Sequence, residues 1–217
     1  MKARYDHGYH KTDNDGRPFY FERPGRVIID ELFEKASEEK MRAYYTAEYE
    51  KLIHWRLPAC SDAVGKWIDT TFSCLDMDGF SMSTLNKKTI NFVKIAIGMG
   101  QNYYPEIMHE MYIINCPLLF RGAYGMFKPF INEKTRKKIH ILGGTITEMF
   151  TKIPKENVPA ILGGSCNCEG GCCYSDAGPW KGHTGDWWAT EQFLILQQQN
   201  EELKEIVDED WFEEDVQ

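Results

Sequence analysis

Two features of targeting and membrane proteins are missing from this chain. No run of consecutive apolar residues approaches the roughly 18 that a membrane-spanning helix needs. The first residues, Met1-Lys2-Ala3-Arg4, are not followed by the apolar core of a secretory signal. Seven cysteines without such a signal favour a reducing compartment over a disulfide framework. We therefore expect a cytoplasmic protein.

The chain also lacks an excess of positive charge. Its net charge is −8, and residues 201–217 account for all of it, with nine acidic residues against one lysine, Lys204. Residues 1–200 are therefore neutral overall. A nucleic-acid-binding surface needs many cations on one face to neutralise phosphates, so we expect no nucleic-acid partner. The acidic segment is typical of a solvated end.

Signatures of catalysis are missing as well. The six histidines show no H-E-x-x-H spacing, and the chain has neither a G-x-S-x-G nucleophile elbow nor a phosphate-binding P-loop. A Cys–His nucleophile pair stays open, because such pairs form in space and not in sequence. Nothing favours that pair, and we expect a protein that is not an enzyme.

The pattern of apolar residues predicts an α/β fold. Asp15-Gly16 indicates a hairpin over residues 5–23. Helices are predicted over 37–55, where Pro58 ends the pattern, and over 83–100, 118–130, 145–152 and 188–207; strands are predicted over 63–78, 111–116 and 138–142. This alternation favours a sheet that is at least partly parallel. We expect one domain over residues 1–181 and a C-terminal helix with an acidic tail over 182–217.

Two groups of polar residues could recognise a ligand. Glu106, Thr135 and Lys138 offer an acid, a hydroxyl and a cation, which an inositol or phosphate headgroup could use. Local sequence alone favours a plainer interpretation, in which Thr135 caps a short helix with a solvated basic face. The second group is Tyr9, Tyr20, Thr71 and Ser73. Tyrosine rings can hold a quaternary ammonium and hydroxyls can bind phosphate, but packed strand tyrosines are the commoner case.

Four cysteines lie within the eight residues Cys166–Cys173. Their C-x-C and C-C spacings depart from the usual C-x₂₋₄-C zinc knuckle, and so compact a segment strains a shell of four thiolates. We therefore predict no metal site and an ordinary Gly-rich surface turn. A zinc-stabilised interaction module, built on this loop and the acidic terminal helix, stays open as an alternative.

Several segments together resemble a known family. They are His10–Tyr20 (HKTDNDGRPFY), Arg56–Ser61 (RLPACS), Gln101–Glu106 (QNYYPE), Tyr112–Asn115 (YIIN), Leu162–Gly164 (LGG) and Gly178–Trp180 (GPW). In this order they look like the CRAL-TRIO lipid-binding domain, in its yeast-type phosphatidylinositol/phosphatidylcholine transfer subgroup. The similarity covers about residues 5–181. Members of this family usually carry a small helical lobe before the domain, whereas this sequence begins at the hairpin, as either an excised domain or a shortened natural form would. A basic inositide contact contributed by that lobe would then be missing.

The resemblance implies a fold and two headgroup sites. The fold would be a mixed, mostly parallel sheet that floors an apolar lipid pocket and is covered by helices. A gating helix with Phe120, Tyr124, Phe127 and Phe130 would close the pocket. The phosphatidylinositol headgroup residues match Glu106, Thr135 and Lys138, and the phosphatidylcholine headgroup residues match Tyr9, Tyr20, Thr71 and Ser73.

The function implied is exchange of these two phospholipids between membranes. The protein would need no cofactor, would carry phospholipid as cargo and would contact a membrane surface transiently. A lipid kinase that receives the phosphatidylinositol is a further implied partner. A sensor of a sterol, tocopherol or retinoid-like ligand, which regulates a partner protein, is the alternative within the same fold.

Overall fold

A five-stranded sheet organises the structure, a computed structural model that describes residues 5–35, 37–81, 84–104 and 106–182. The predicted helix over 188–207 and the acidic tail lie outside these residues. The strands are β1 (His7–Thr12), β2 (Pro18–Glu22), β3 (Thr71–Asp76), β4 (Met108–Ile114) and β5 (Ile139–Ile141). They lie in the spatial order β1-β2-β3-β4-β5.

β1 and β2 form the predicted antiparallel hairpin, and β2 to β5 run parallel. The Asp13 carboxylate organises the turn by accepting hydrogen bonds from the backbone N–H groups of Asp15 and Arg17, at 2.9 and 2.8 Å. Gly16 takes a φ of +90°, a conformation that glycine adopts without steric cost. The predicted α/β fold with a mostly parallel sheet is confirmed.

The helices are α1 (Ile29–Lys35), α2 (Glu38–Lys51), α3 (Leu57–Val64), α4 (Lys87–Asn102), α5 (Leu118–Phe127), α6 (Glu133–Lys137) and α7 (Cys172–Ser175). The prediction that Pro58 ends its helix is wrong. A π-helical turn, Leu52–Arg56, joins α2 to α3, and Pro58 falls in the first turn of α3. Proline lacks an N–H and clashes with the carbonyl four residues earlier, and the wider π turn accommodates both effects.

Two other segments differ from the prediction in their type of structure. Residues 63–70, predicted as the start of a strand, contain the end of α3 and a connecting loop, because Gly65 ends that helix with a φ of +65°. The helix predicted over 145–152 is a 3₁₀ turn, Met149–Thr151. Short apolar segments of this kind do not reveal helix type by their periodicity, since tertiary packing decides it.

Strand alternation gives the sheet two different faces. Tyr9, Tyr20, Ser73, Met111 and Ile139 are register partners from β1 to β5 and share one face. The residues that follow them in sequence point to the opposite face.

The opposite face packs against the chain segment that follows β5. There Phe19, Phe21, Phe72, Tyr112 and Ile114 form one buried cluster. They pack with Met149, Ile153, Val158 and Leu162 from the turns after β5. We call this the packed face and the other the pocket face.

Candidate functional site

A cavity of about 370 Å³ lies on the pocket face, between the sheet and helices α2, α4 and α5. It is larger than the roughly 150 Å³ void left by deleting a large core side chain, and it falls in the range of ligand pockets. Apolar side chains such as Phe92, Val93, Met111 and Ile113 form much of its wall. A void of this size on one side of a well-packed sheet indicates a ligand-binding interior.

Tyr9, Tyr20, Thr71 and Ser73 all line this cavity, where β1 to β3 supply them side by side. The rings of Tyr9 and Tyr20 lie 4.9 Å apart. The Arg56 guanidinium stacks over Tyr9 at 4.4 Å from the ring centroid. Arg56 thus covers one face of the Tyr9 ring, and Thr71 and Ser73 line the cavity beside it.

Glu22 is a cavity residue that sequence reasoning missed. Its carboxylate accepts hydrogen bonds from the hydroxyls of Tyr5 and Tyr20. Burial, and next the negative charge of Glu22, raise the pKa of both tyrosines well above the ordinary value. Glu22 lies two residues after Tyr20 on the same strand, so the period of two could have placed it on this face.

Glu106, Thr135 and Lys138 come together at the rim of the cavity, near the amino ends of β4 and β5. The Lys138 ammonium lies 3.4 Å from the Glu106 carboxylate and donates to the Met108 carbonyl at 2.8 Å. Lys134 lies 3.5 Å from the same carboxylate. The hydrogen bond from Lys138, together with the charges of Lys134 and Lys138, lowers the pKa of Glu106.

Thr135 does not cap its helix. Asn132 is the N-terminal cap of α6, and its side chain accepts a hydrogen bond from the Thr135 backbone N–H at 2.7 Å. The plainer interpretation of Thr135 as a capping residue is therefore wrong. Its hydroxyl is not needed for that role, and the residue lines the cavity.

Helix α5 covers the cavity from the end of β4, and Phe120, Tyr124 and Phe127 contribute to the cavity wall. Phe130, predicted as a fourth gating residue, lies beyond the helix and is not part of that wall; its side chain is 43% exposed. The Lys94 ammonium stacks over the Phe130 ring at 4.5 Å from the centroid. Helix α5, which we call the cover, also carries exposed apolar side chains, namely Leu118, Leu119 and Met126.

Two side chains of α4, Lys94 and Gln101, contact the segment after α5. The Gln101 amide donates to the Phe130 carbonyl at 2.8 Å and accepts from the Asn132 backbone N–H at 2.7 Å. Gln101 also lines the cavity. These two hydrogen bonds join α4 to the segment after α5 at an accessible position.

Family comparison agrees with this architecture, since the CRAL/TRIO domain matches residues 5–164. The chain belongs to this family. It is 41% identical to a protein named Sec14 cytosolic factor from Schizosaccharomyces pombe, over 84% of this chain and 63% of that protein. It is 36% identical to a phosphatidylinositol/phosphatidylcholine transfer protein of Arabidopsis thaliana, over 83% of this chain and 49% of that protein. The chain thus spans about half to two thirds of their lengths.

A solved structure supports the same fold. The crystal structure of Sfh5 aligns with a TM-score of 0.52 at 25% sequence identity, covering 63% of this chain and 47% of that one. In the described part of this chain, no helix combines the length and the hydropathy that a membrane span requires.

Proposed function

We propose that this chain binds phosphatidylinositol and phosphatidylcholine as alternative cargo in the cavity and exchanges them between membranes. The observation that carries the proposal is that one apolar cavity is lined by both groups of headgroup candidates, at separate places. Glu106, Thr135 and Lys138 occupy the rim, and the tyrosine and hydroxyl group occupies the floor. The name of the relative from Arabidopsis supports this choice of cargo.

The energetics of lipid transfer explain the need for a covered cavity. Two acyl chains of about 16 carbons each, at ~0.8 kcal/mol per CH₂ group, would cost on the order of 25 kcal/mol to expose to water. A carrier avoids this cost by opening on a bilayer and replacing one apolar surround with another. Headgroup contacts worth a few kcal/mol then decide which lipid is carried.

Helix α5 would open during this exchange while it is in contact with the membrane. The exposed side chains of Leu118, Leu119 and Met126 give it an apolar outer surface, which suits a transient contact with lipid. In the cell this implies a cytoplasmic protein that visits membranes. Mutation of Leu118 and Met126 to serine should slow transfer at low vesicle concentration and leave the amount of copurified lipid unchanged.

The exposed rim also suits presentation of phosphatidylinositol to a lipid kinase. The Glu106 side chain is 63% exposed and that of Lys138 is 30% exposed. An inositol ring held between them would lie near the surface, where a second enzyme could reach its hydroxyls. The test is whether a purified phosphatidylinositol kinase phosphorylates the bound lipid faster than the same lipid in vesicles.

The central experiment identifies the cargo and then separates the two headgroup sites. Organic extraction of the purified protein followed by mass spectrometry should recover both phospholipids. The double variant Glu106→Ala/Lys138→Ala should reduce transfer of labelled phosphatidylinositol between vesicles at least about tenfold and spare phosphatidylcholine, because hydrogen bonds to charged groups contribute ~1.5–3 kcal/mol each. The reciprocal variant Thr71→Val/Ser73→Ala should reduce phosphatidylcholine transfer more strongly.

Glu133→Ala/Lys137→Ala is the matched control for the rim variant. These residues form an exposed ion pair at 2.9 Å on α6, the same short helix that carries Thr135, and they do not line the cavity. The control should transfer both lipids normally. An equal loss of transfer of both lipids in the rim variant would contradict the headgroup assignment. In the extraction experiment, recovery of only a sterol, tocopherol or retinoid-like ligand would favour the alternative function of a sensor.

A further inference from the structure

A second cluster of reactive side chains lies behind the sheet, away from the cavity. His10 follows Tyr9 on β1, and its ring points to the packed side, where it is fully buried. Helix α7 and the loop before it pack against this part of β1, which brings Cys166, Cys168 and Cys172 to the histidine. The ligand atoms of these four residues all lie within 4.8 Å of one another.

Two separations within the cluster are close to the edges of a metal-centred tetrahedron. The Sγ atoms of Cys166 and Cys168 lie 3.8 Å apart, and the His10 Nε2 atom lies 3.3 Å from the Cys166 Sγ atom. Zinc bonds of ~2.3 Å to sulfur and ~2.0 Å to nitrogen place tetrahedral ligands about 3.8 Å apart for two sulfurs and about 3.5 Å for sulfur and nitrogen. The cluster therefore needs little movement to enclose the ion.

We propose that His10, Cys166, Cys168 and Cys172 form a structural zinc site. Three thiolates and one imidazole are the ligands that zinc takes in closed tetrahedral sites, and the set contains no carboxylate or other oxygen ligand that would suit a harder cation. With four protein ligands the ion has no position left for a substrate. The site would therefore stabilise the fold and would not catalyse a reaction.

A hydrogen-bond chain behind His10 orients the ring for metal binding. The Ser175 hydroxyl lies 3.1 Å from His10 Nδ1 and 3.2 Å from the Cys172 carbonyl oxygen. A Ser175 hydroxyl that donates to this carbonyl can accept from the His10 Nδ1–H group. This leaves the Nε2 lone pair directed at the cysteines, the arrangement that surrounds metal-binding histidines.

The backbone of the loop explains why so compact a segment can supply three ligands. Gly170 and Gly171 take φ values of +73° and +93°, and the Gly171 N–H group donates to the Cys168 carbonyl at 2.9 Å. This turn reverses the chain between Cys168 and Cys172. Cys166 is fixed separately, because its N–H group donates to the Val158 carbonyl at 3.0 Å.

The spacing of the four cysteines alone does not indicate this ligand set, because a shell of four thiolates would have to include the adjacent pair Cys172 and Cys173. Cys173 is outside the cluster, and the fourth ligand is a histidine more than 150 residues away in sequence. A zinc ion here would join β1 to the C-terminal segment behind it, and so would brace the strand whose other face carries Tyr9.

The site is tested by metal binding to the full chain, which does not depend on lipid transfer. The reduced protein, freed of metal with a chelator, should bind one zinc ion per chain and unfold at a higher temperature when zinc is present. With cobalt(II) it should show the strong visible absorption of a tetrahedral site and a charge-transfer band from thiolate ligands.

Four single variants define the ligand set. His10→Gln and Cys168→Ser should each weaken zinc binding at least about a hundredfold, more than the 10- to 100-fold expected for Ser175→Ala, which changes only the group behind the ligand. Cys173→Ser is the matched control from the same loop and should bind zinc normally.

Two results would overturn the proposal. One is a reduced, folded wild-type protein that binds less than about a tenth of an equivalent of zinc and shows no tetrahedral cobalt spectrum. The other is zinc binding that survives in His10→Gln but is lost in Cys173→Ser. A disulfide that forms again within the loop immediately after reduction would also contradict the proposal, because its two cysteines could not both bind zinc. If a variant does not fold, the wild-type cobalt spectrum still decides between thiolate and oxygen ligands.

Discussion

The two faces of the sheet are built from alternate residues of the same strands, yet one is solid and the other hollow. On the packed face, Phe72, Cys74 and Ile114 are sealed against the turns that follow β5. On the pocket face, Ser73, Met111 and Ile113 border a cavity of about 370 Å³. The comparison teaches that a period of two lets one strand hold the fold together with one set of side chains and bind a ligand with the other.

The strongest test of this comparison uses two neighbouring isoleucines on β4. Ile114 is fully buried in the packed face, whereas Ile113 lines the cavity. Ile114→Ala in the lipid-free protein should lower the free energy of unfolding by about 2–5 kcal/mol. Ile113→Ala should cost less than half as much, because a side chain at a void already lacks packing partners on one side. Urea unfolding followed by circular dichroism measures both, and equal losses would contradict a hollow face.

The second test adds bulk to both faces at adjacent positions of β3. Cys74→Phe should overpack the packed face and lower stability by about 1–3 kcal/mol. Ser73→Phe should fold with a smaller loss, because the ring can enter the cavity, but should retain little phospholipid after purification. Thermal unfolding and mass spectrometry of extracted lipid give the two readouts. A Ser73→Phe protein with its full lipid content would show that cargo binds elsewhere.

The third test uses four tyrosines that line the cavity. Burial raises the pKa values of Tyr5, Tyr9, Tyr20 and Tyr45 well above 10, the value expected in the unfolded chain. Their contribution to stability is complete below pH 10 and falls above it, because only the unfolded chain then loses protons. The loss should approach about 1.4 kcal/mol per pH unit for each tyrosine. Urea unfolding between pH 9 and 11 should show this slope, and Tyr5→Phe should flatten it; an unchanged slope would contradict the assignment.

The smallest effect is expected where the cover meets the body of the protein. Gln101→Ala removes both hydrogen bonds from α4 to the segment after α5, and should lower stability by only about 1 kcal/mol. Hydrogen exchange of residues 128–132 should become faster, and so should lipid exchange with vesicles. If neither hydrogen exchange nor lipid exchange changes, other contacts hold residues 128–132 in place.

Much of the architecture could be predicted because it is local. The Asp15-Gly16 turn and the alternation around Tyr9 and Tyr20 specify the hairpin, and the change between apolar strands and amphipathic helices specifies an α/β sheet. The resemblance to the CRAL/TRIO family supplied the prediction of an apolar pocket covered by helices. The π turn before Pro58 and the 3₁₀ turn at Met149 could not be predicted, because packing against distant elements selects these conformations.

The sequence by itself determined which side chains alternate along each strand, since this alternation follows from backbone geometry over a few residues. Only the tertiary structure decided which face would be hollow, that Glu22 would join the tyrosines, and that His10 would meet the cysteine loop. Each of these depends on contacts between residues far apart in the chain, and such contacts arise only when the sheet, its cover and the segment behind it are assembled.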